Sequence, residues 1–200
     1  MLRVGLTGSI AVGKTFVCEV FRELGCAVLD ADRVAREVVE PGTQGLRRVV
    51  EEFGAKVLKP DGSLDRSKLG SIVFADQQKR ELLNSIIHPL VIDEQDRWLR
   101  ERATEDPDGI AIVDAALMIE SGGYRRFDHL IVVWCRPEIQ LQRLIARDRL
   151  TPAEAKQRIA SQMPQEEKKR YAGFLIDTSE GFDDTRRQVR EIYRQLNLST

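Results

Sequence analysis

Short unbroken apolar runs alternate with amphipathic stretches along most of the chain. Val4–Leu6, Ala27–Leu29, Ile110–Val113 and Leu130–Trp134 are too short for helices and apolar at every position, the pattern of strands buried on both faces. Phe174–Ile176 is a fifth run of the same kind. Between the first two, apolar residues at 16, 17, 20, 21 and 24 repeat with helical period. Further helices are predicted at Arg33–Val39, Gln44–Phe53 (entered from Thr43 and stopped by Gly54), Asp65–Phe74 and Gln77–Ile87, the last two each beginning at an Asp cap. Pro89 then opens a helix to Ala103, with proline in the first turn. Pro137 opens another, through Arg147, and Thr151-Pro152-Ala153-Glu154 reads as a capping box. Asp183–Leu196 closes the chain as a helix.

Strand-helix alternation predicts an α/β fold, a parallel five-stranded sheet with helices on both faces. The stretch 33–105 offers no strand, so it reads as a helical insertion between core segments 1–32 and 106–200. No repeat or low-complexity segment interrupts the chain.

Where the first strand gives way to the first helix, the chain reads Gly8-Ser9-Ile10-Ala11-Val12-Gly13-Lys14-Thr15. This spacing, between a strand end and a helix start, is that of a loop that cradles the phosphates of a nucleoside triphosphate. A helix N-terminus presents N–H groups without intrahelical partners, and an anion satisfies them. Lys14 is placed to reach the terminal phosphates and the Thr15 hydroxyl to ligate magnesium. A nucleoside triphosphate and Mg2+ are therefore the expected cofactors, with residues 8, 9 and 11–16 as the nucleotide-binding set.

Composition narrows the class little: of 200 residues, 42% are hydrophobic and 32% charged, as in ordinary globular proteins. The net charge of -1 argues against nucleic-acid or membrane partners, so any anion site is local. Cys18, Cys26 and Cys135 lack metal-type spacing and read as reduced core thiols of a cytoplasmic protein. The first strand begins at once, leaving no room for a signal peptide, and no apolar run reaches membrane-span length. Trp98 and Trp134 read as core, His129 as surface.

Asp30-Ala31-Asp32 follows the second strand, expected beside the first. Groups beyond the carboxyl ends of parallel strands are where such folds place their chemistry. One carboxylate can orient an attacking hydroxyl and the other cap the next helix. Residues 136–170 hold nine Lys plus Arg against five Asp plus Glu. Arg143 and Arg147, four apart, share a helix face and could close over a triphosphate as a lid at about 137–165; the plainer reading is a solvated face. Lys168, Lys169 and Arg170 read as surface charges. Asp114 and Glu120 follow the third strand and are candidates for outer contacts to metal or water. A guanine switch is disfavoured: there is no Asn-Lys-x-Asp, and the one Asp-x-x-Gly, at 106–109, precedes the third strand.

The loop, Asp30-Ala31-Asp32 with Val34-Ala35-Arg36-Glu37-Val38-Val39, Ile87-His88-Pro89, Leu117-Met118-Ile119-Glu120, Arg143, Arg147 and Arg158-Ile159-x-x-Gln162-Met163 together resemble the dephospho-coenzyme A kinase family over essentially the whole chain. The resemblance implies a P-loop kinase-like fold. It also implies transfer of the γ-phosphoryl of ATP to the ribose 3′-hydroxyl of dephospho-CoA, the last step of coenzyme A synthesis. Asp32 would be the base or orienter of that hydroxyl, and the insertion the dephospho-CoA lobe, with Arg36 and His88 as substrate contacts. Lys14, Arg143 and Arg147 would serve the transferring phosphoryl group. A monomer is the default expectation, since nothing in the sequence sets the oligomeric state. The alternative is another kinase of this architecture, acting on a nucleoside monophosphate or a shikimate-like alcohol. The chain departs from the family's usual Gly-Ile-Gly-Ser-Gly-Lys-[Ser/Thr]-Thr: Ser9, Ala11, Val12 and Phe16 replace Gly, Gly, Ser and Thr. Ala116 stands where the family has Pro, and Gly173 and Thr178 replace Asp and Asn.

Overall fold

The computed structural model describes residues 1–198. Five strands, β1 (Leu2–Thr7), β2 (Ala27–Asp30), β3 (Ile110–Asp114), β4 (His129–Trp134) and β5 (Phe174–Asp177), form one sheet in the order β2-β3-β1-β4-β5. Every pairing is parallel. The strands come where unbroken apolar runs predict them, because a strand covered on both faces has no position to give to a polar side chain. One expectation fails. β3 intervenes between β1 and β2, so the phosphate loop and the Asp pair do not follow neighbouring strands. Asp114, at the end of β3, pairs in register with Leu6 on one side and Asp30 on the other.

The chain divides into two compact units, residues 1–30 with 99–200, and residues 31–98. In the first, helices α1 (Lys14–Glu23) and α9 (Phe182–Asn197) cover the sheet's core, in which Leu6, Val17, Phe21, Ile112, Ile131, Ile176 and Leu196 are fully buried. The same unit carries α6 (Pro137–Asp148), α7 (Pro152–Ala160) and the short α8 (Gln165–Lys169). Thr151 and Glu154 make the reciprocal capping box that the sequence announces.

The second unit holds α2 (Ala31–Glu37), α3 (Gln44–Phe53), α4 (Arg66–Ala75) and most of α5 (Gln77–Glu105). Its core is separate, built from Val39, Leu46, Val49, Phe53, Val57, Leu64, Leu69 and Ile86. Thr43 caps α3 through the Leu46 N–H, and Asp65 caps α4 through the Lys68 N–H. The break expected at Pro89 is absent: α5 is one helix of 29 residues with Pro89 inside it. Proline deletes one hydrogen bond and crowds the carbonyl four residues back, but a helix of about eight turns tolerates that loss. His88 is therefore an exposed residue of a helix interior and joins no two elements.

Cys18, Cys26 and Cys135 are free and buried. Trp98 and Trp134 are half-buried rather than core, and His129 is half-buried, its ring edge-on to Phe174. Among the described residues no helix is long and apolar enough to cross a membrane.

Candidate active site

The loop after β1 is held from outside by its carbonyls and one amide. The Val12 N–H donates to Ser9 O. Ile10 N–H donates to Gln162 Oε1 at 2.7 Å, and Ile10 O accepts from Gln140 Nε2 at 2.8 Å. Val12 O accepts from Thr178 Oγ1 at 2.7 Å. The N–H groups of Ala11, Gly13, Lys14, Thr15 and Phe16 have no hydrogen-bond partner among the described residues. Five such donors, four of them consecutive, at and just before a helix N-terminus form an anion-binding concavity.

Two glycines make this possible for different reasons. At Gly8 a Cβ would stand 2.4 Å from Val133 O, so the backbone runs too close to β4 for any side chain. Gly13 caps α1 with φ 90°, in the left-handed region. Ala11 has φ 61°, the same region, without glycine's freedom. Relief of that strain, set against glycine's extra unfolded-state entropy, makes Ala11→Gly stabilising by about 0.5–1 kcal/mol. Chemical denaturation would show it as a higher midpoint at unchanged slope, and a lower midpoint would contradict it.

The Val12 side chain is fully buried in the sheet's core, so the valine serves packing while its carbonyl serves the loop. Phe16 turns away from a phosphate role: its ring lies 4.7 Å from that of Phe182, centroid to centroid, with the Arg186 guanidinium over it. Ser9 is buried, and its Oγ has no partner among the described residues. Thr15 is exposed in the first turn of α1.

Lys14 Nζ is ion-paired with Asp114, both side chains only 15% exposed. Burial and then the negative charge of Asp114 push the Cys18 thiol well above its ordinary range, which disfavours its thiolate form. A second, unforeseen pair lies in the same unit. Lys168, expected at the surface, is fully buried. Its Nζ reaches Glu120 Oε1 at 2.8 Å and Ala116 O at 2.8 Å. Burial lowers the pKa of Lys168, with Glu120 opposing. Glu120 also accepts from Met163 N–H, so its carboxylate serves a structural joint. Lys169 sits over the Trp134 ring, 3.3 Å from its centroid, and pairs with Glu166.

The two arginines expected to close over a triphosphate have different surroundings. Arg143 donates to Thr178 Oγ1 and Thr178 O, both at 2.8 Å, and Thr178 in turn holds Val12 O, which ties Arg143 to the phosphate loop. Arg147 pairs with neighbouring Asp148, which Arg158 also engages. These arginines lower the pKa of Asp148. Though four residues apart on one helix, Arg143 and Arg147 are thus committed to different partners. In the second unit, Asp32 lies in the first turn of α2, exposed, and Arg36 is exposed in its last turn. The Arg36 carbonyl accepts from the Arg66 guanidinium at 3.2 Å.

No group of three or more His, Cys, Asp or Glu that could hold a metal occurs among the described residues. The donor chemistry near Lys14 is nevertheless hard oxygen: the Thr15 hydroxyl, next along the chain, and the Asp114 carboxylate against the Lys14 amine. That set fits magnesium, which keeps its waters and substrate phosphates and needs one or two protein oxygens.

A family model described as dephospho-CoA kinase matches residues 2–184. A dephospho-CoA kinase of Listeria monocytogenes serotype 4b is 45% identical over 186 residues, covering 93% of this chain and 92% of that protein. One from Streptomyces avermitilis is 44% identical over 196 residues, covering 98% and 94%. Among solved structures, the dephospho-CoA kinase from Campylobacter jejuni superposes with a TM-score of 0.74 at 28% identity, covering 98% of both chains. The match runs through the phosphate loop, the Asp pair and the arginine-bearing helices alike, and the chain belongs to the dephospho-CoA kinase family.

Proposed function

We propose that this chain transfers the γ-phosphoryl group of ATP to the ribose 3′-hydroxyl of dephospho-CoA, giving coenzyme A and ADP. The observation that carries the reading is the loop at residues 8–16: pinned from outside, it leaves the N–H groups of Ala11 and Gly13 to Phe16 and the Lys14 ammonium for a polyphosphate. Family membership supplies the acceptor.

The 3′-oxygen bonds to the γ-phosphorus as the bond from that phosphorus to the β,γ-bridging oxygen breaks. Asp32 accepts a hydrogen bond from the attacking hydroxyl and takes its proton as the new bond forms. Lys14 shifts from Asp114 to the β- and γ-phosphate oxygens, where its charge offsets what develops on the leaving ADP. Thr15 and the released Asp114 would hold Mg2+, which when bound neutralises phosphate charge. Arg143, braced on Thr178 through both terminal nitrogens, offers its remaining N–H groups and its charge to phosphate oxygens, and Arg147 offers its planar fork on leaving Asp148. Arg36 and His88 serve the acceptor, in the unit of residues 31–98, which we assign as the dephospho-CoA lobe. The chain works as a cytoplasmic monomer, with no nucleic-acid or membrane partner.

Incubation with ATP, Mg2+ and a panel of dephospho-CoA, AMP, CMP, UMP and shikimate, read by mass, tests the substrate. Phosphorylated dephospho-CoA alone is expected; product from another acceptor only would replace this reading with that of a nucleoside monophosphate or shikimate-type kinase. Asp32→Asn should leave the protein folded while turnover falls by about 10²–10⁴-fold. A fully active Asp32→Asn protein removes the proton-accepting role.

A further inference from the structure

We infer that Gln140, Gln162 and Gln165 are positioning residues that set the phosphate loop through a chain of side-chain amides of fixed polarity. The chain starts at the Cys135 N–H, just past β4, which donates to Gln165 Oε1 at 3.1 Å. Gln165 Nε2 donates to Gln140 Oε1 at 2.8 Å, and Gln140 Nε2 donates to Ile10 O at 2.8 Å. On its other side Ile10 N–H donates to Gln162 Oε1 at 2.7 Å. A backbone N–H can only donate and a carbonyl can only accept. The Cys135 N–H at one end and the Ile10 carbonyl at the other therefore fix both intervening amides. Turning either over would set donor against donor or oxygen against oxygen.

The consequence for the loop is specific. Ile10 is the residue before Ala11, whose φ of 61° an L-residue rarely adopts. Both polar groups of the Ile10 backbone are engaged by glutamines, which opposes the backbone rotation that would let Ala11 relax. The loop is thereby held in the form that leaves the N–H groups of Ala11 and Gly13 to Phe16 for a ligand. Gln140 is buried, at 2% exposure, so a lost partner cannot be replaced by bulk water at little cost. The three glutamines come from α6, the α7–α8 connection and the start of α8. The seating of these segments is thus written into the conformation of the phosphate loop.

That Ile10 is gripped stands on geometry alone; that the grip serves nucleotide binding rests on the function proposed above. The test uses one substitution, glutamine to glutamate, at two positions where opposite outcomes are expected. At 162 only an acceptor is needed, and a carboxylate supplies it. At 140 a donor is needed as well, and an ionised carboxylate would face the Ile10 carbonyl with an oxygen. Gln162→Met should raise the KM for ATP about tenfold with a smaller change in kcat, the worth of one lost partner to a half-buried amide. Gln162→Glu should restore most of that loss. Gln140→Glu should not behave like wild type, and Gln140→Met, without a buried charge, keeps that arm readable if Gln140→Glu fails to fold.

Hydrogen exchange at the Ile10 amide supplies a readout without activity: faster in Gln162→Met, protected in wild type and Gln162→Glu. Equal exchange in wild type and Gln162→Met overturns the grip. Faster exchange with an unchanged KM overturns its role in nucleotide binding. An inactive wild-type protein with the exchange pattern intact would defeat the proposed function and leave the grip standing.

Discussion

Lys14→Ala should lower kcat/KM by about 10²–10³-fold, the usual cost of removing one preorganised charge from a site where negative charge develops. The lysine follows Gly13 at the N-terminus of α1, its amine already held within the site by Asp114. In turnover the ammonium must be there when the β,γ-bridge breaks, and a water cannot bring a full positive charge. The substitution also leaves Asp114 without its cation. That carboxylate keeps some access to solvent, at 15% exposure, so part of the lost interaction is recovered by hydration. Circular dichroism should therefore report a folded protein with a lowered melting point. Lys14→Met, which keeps the aliphatic stem and its packing, separates the two effects: activity as low as alanine's, stability closer to wild type's. Lys14→Arg should rescue poorly, because a broad planar fork does not replace a compact ammonium beside Asp114. Near-normal turnover in the folded alanine variant would mean that the phosphates bind without this residue, and the mechanism would lose its electrostatic centre.

The fold was legible because it rests on patterns of burial. Each of the five strands has an unbroken apolar centre, with polar residues only towards its ends, and a parallel sheet covered on both faces asks for that. Caps such as Thr43 and Asp65 were legible because their effect is local. Strand order was not: β3 slips between β1 and β2 although it comes after both in sequence, and no local signal encodes that. Pro89 misled because its usual disruption of a helix was outweighed by the residues on either side.

In the candidate site, the loop and Lys14 were readable from spacing alone, since eight positions define their chemistry. Their supports were hidden. Lys168 lies within Glu166-Glu167-Lys168-Lys169-Arg170, where a charged run reads as solvent-facing, and only tertiary structure buries one member. Gln140 did carry a signal: four residues before fully buried Leu144, it lies on the inward face of its helix, where a polar side chain needs a partner. Thr178 carried no such signal: its hydroxyl bridges Arg143 and Val12 O with one oxygen acting as both acceptor and donor.

Lys168→Met should cost about 3 kcal/mol of stability, the lower end of what breaking a buried ion pair costs. The lysine is fully buried and holds Glu120 and the Ala116 carbonyl at once, joining α8 to the segment after β3. Without it Ala116 O retains the Thr7 hydroxyl and Glu120 the Met163 N–H, which is too little for an ionised carboxylate. Glu120 is 24% exposed and can draw on water, hence the lower end of the range. The double variant Lys168→Met with Glu120→Gln should recover part of the loss, because neither partner is then a charge left alone. If the two substitutions simply add, the pair contributes nothing specific and the stability comes from packing of the lysine stem. Alkaline pH gives a second check. Burial lowers the folded-state pKa of Lys168 below its unfolded value, so above the lowered value the unfolded chain binds more protons than the folded one. Wild-type stability should then gain from this site as pH rises from the lowered pKa towards the ordinary lysine value, and Lys168→Met should lack that gain. Parallel stability-pH curves for the two proteins would show that Lys168 keeps an ordinary affinity for its proton, and that its burial is offset fully by Glu120.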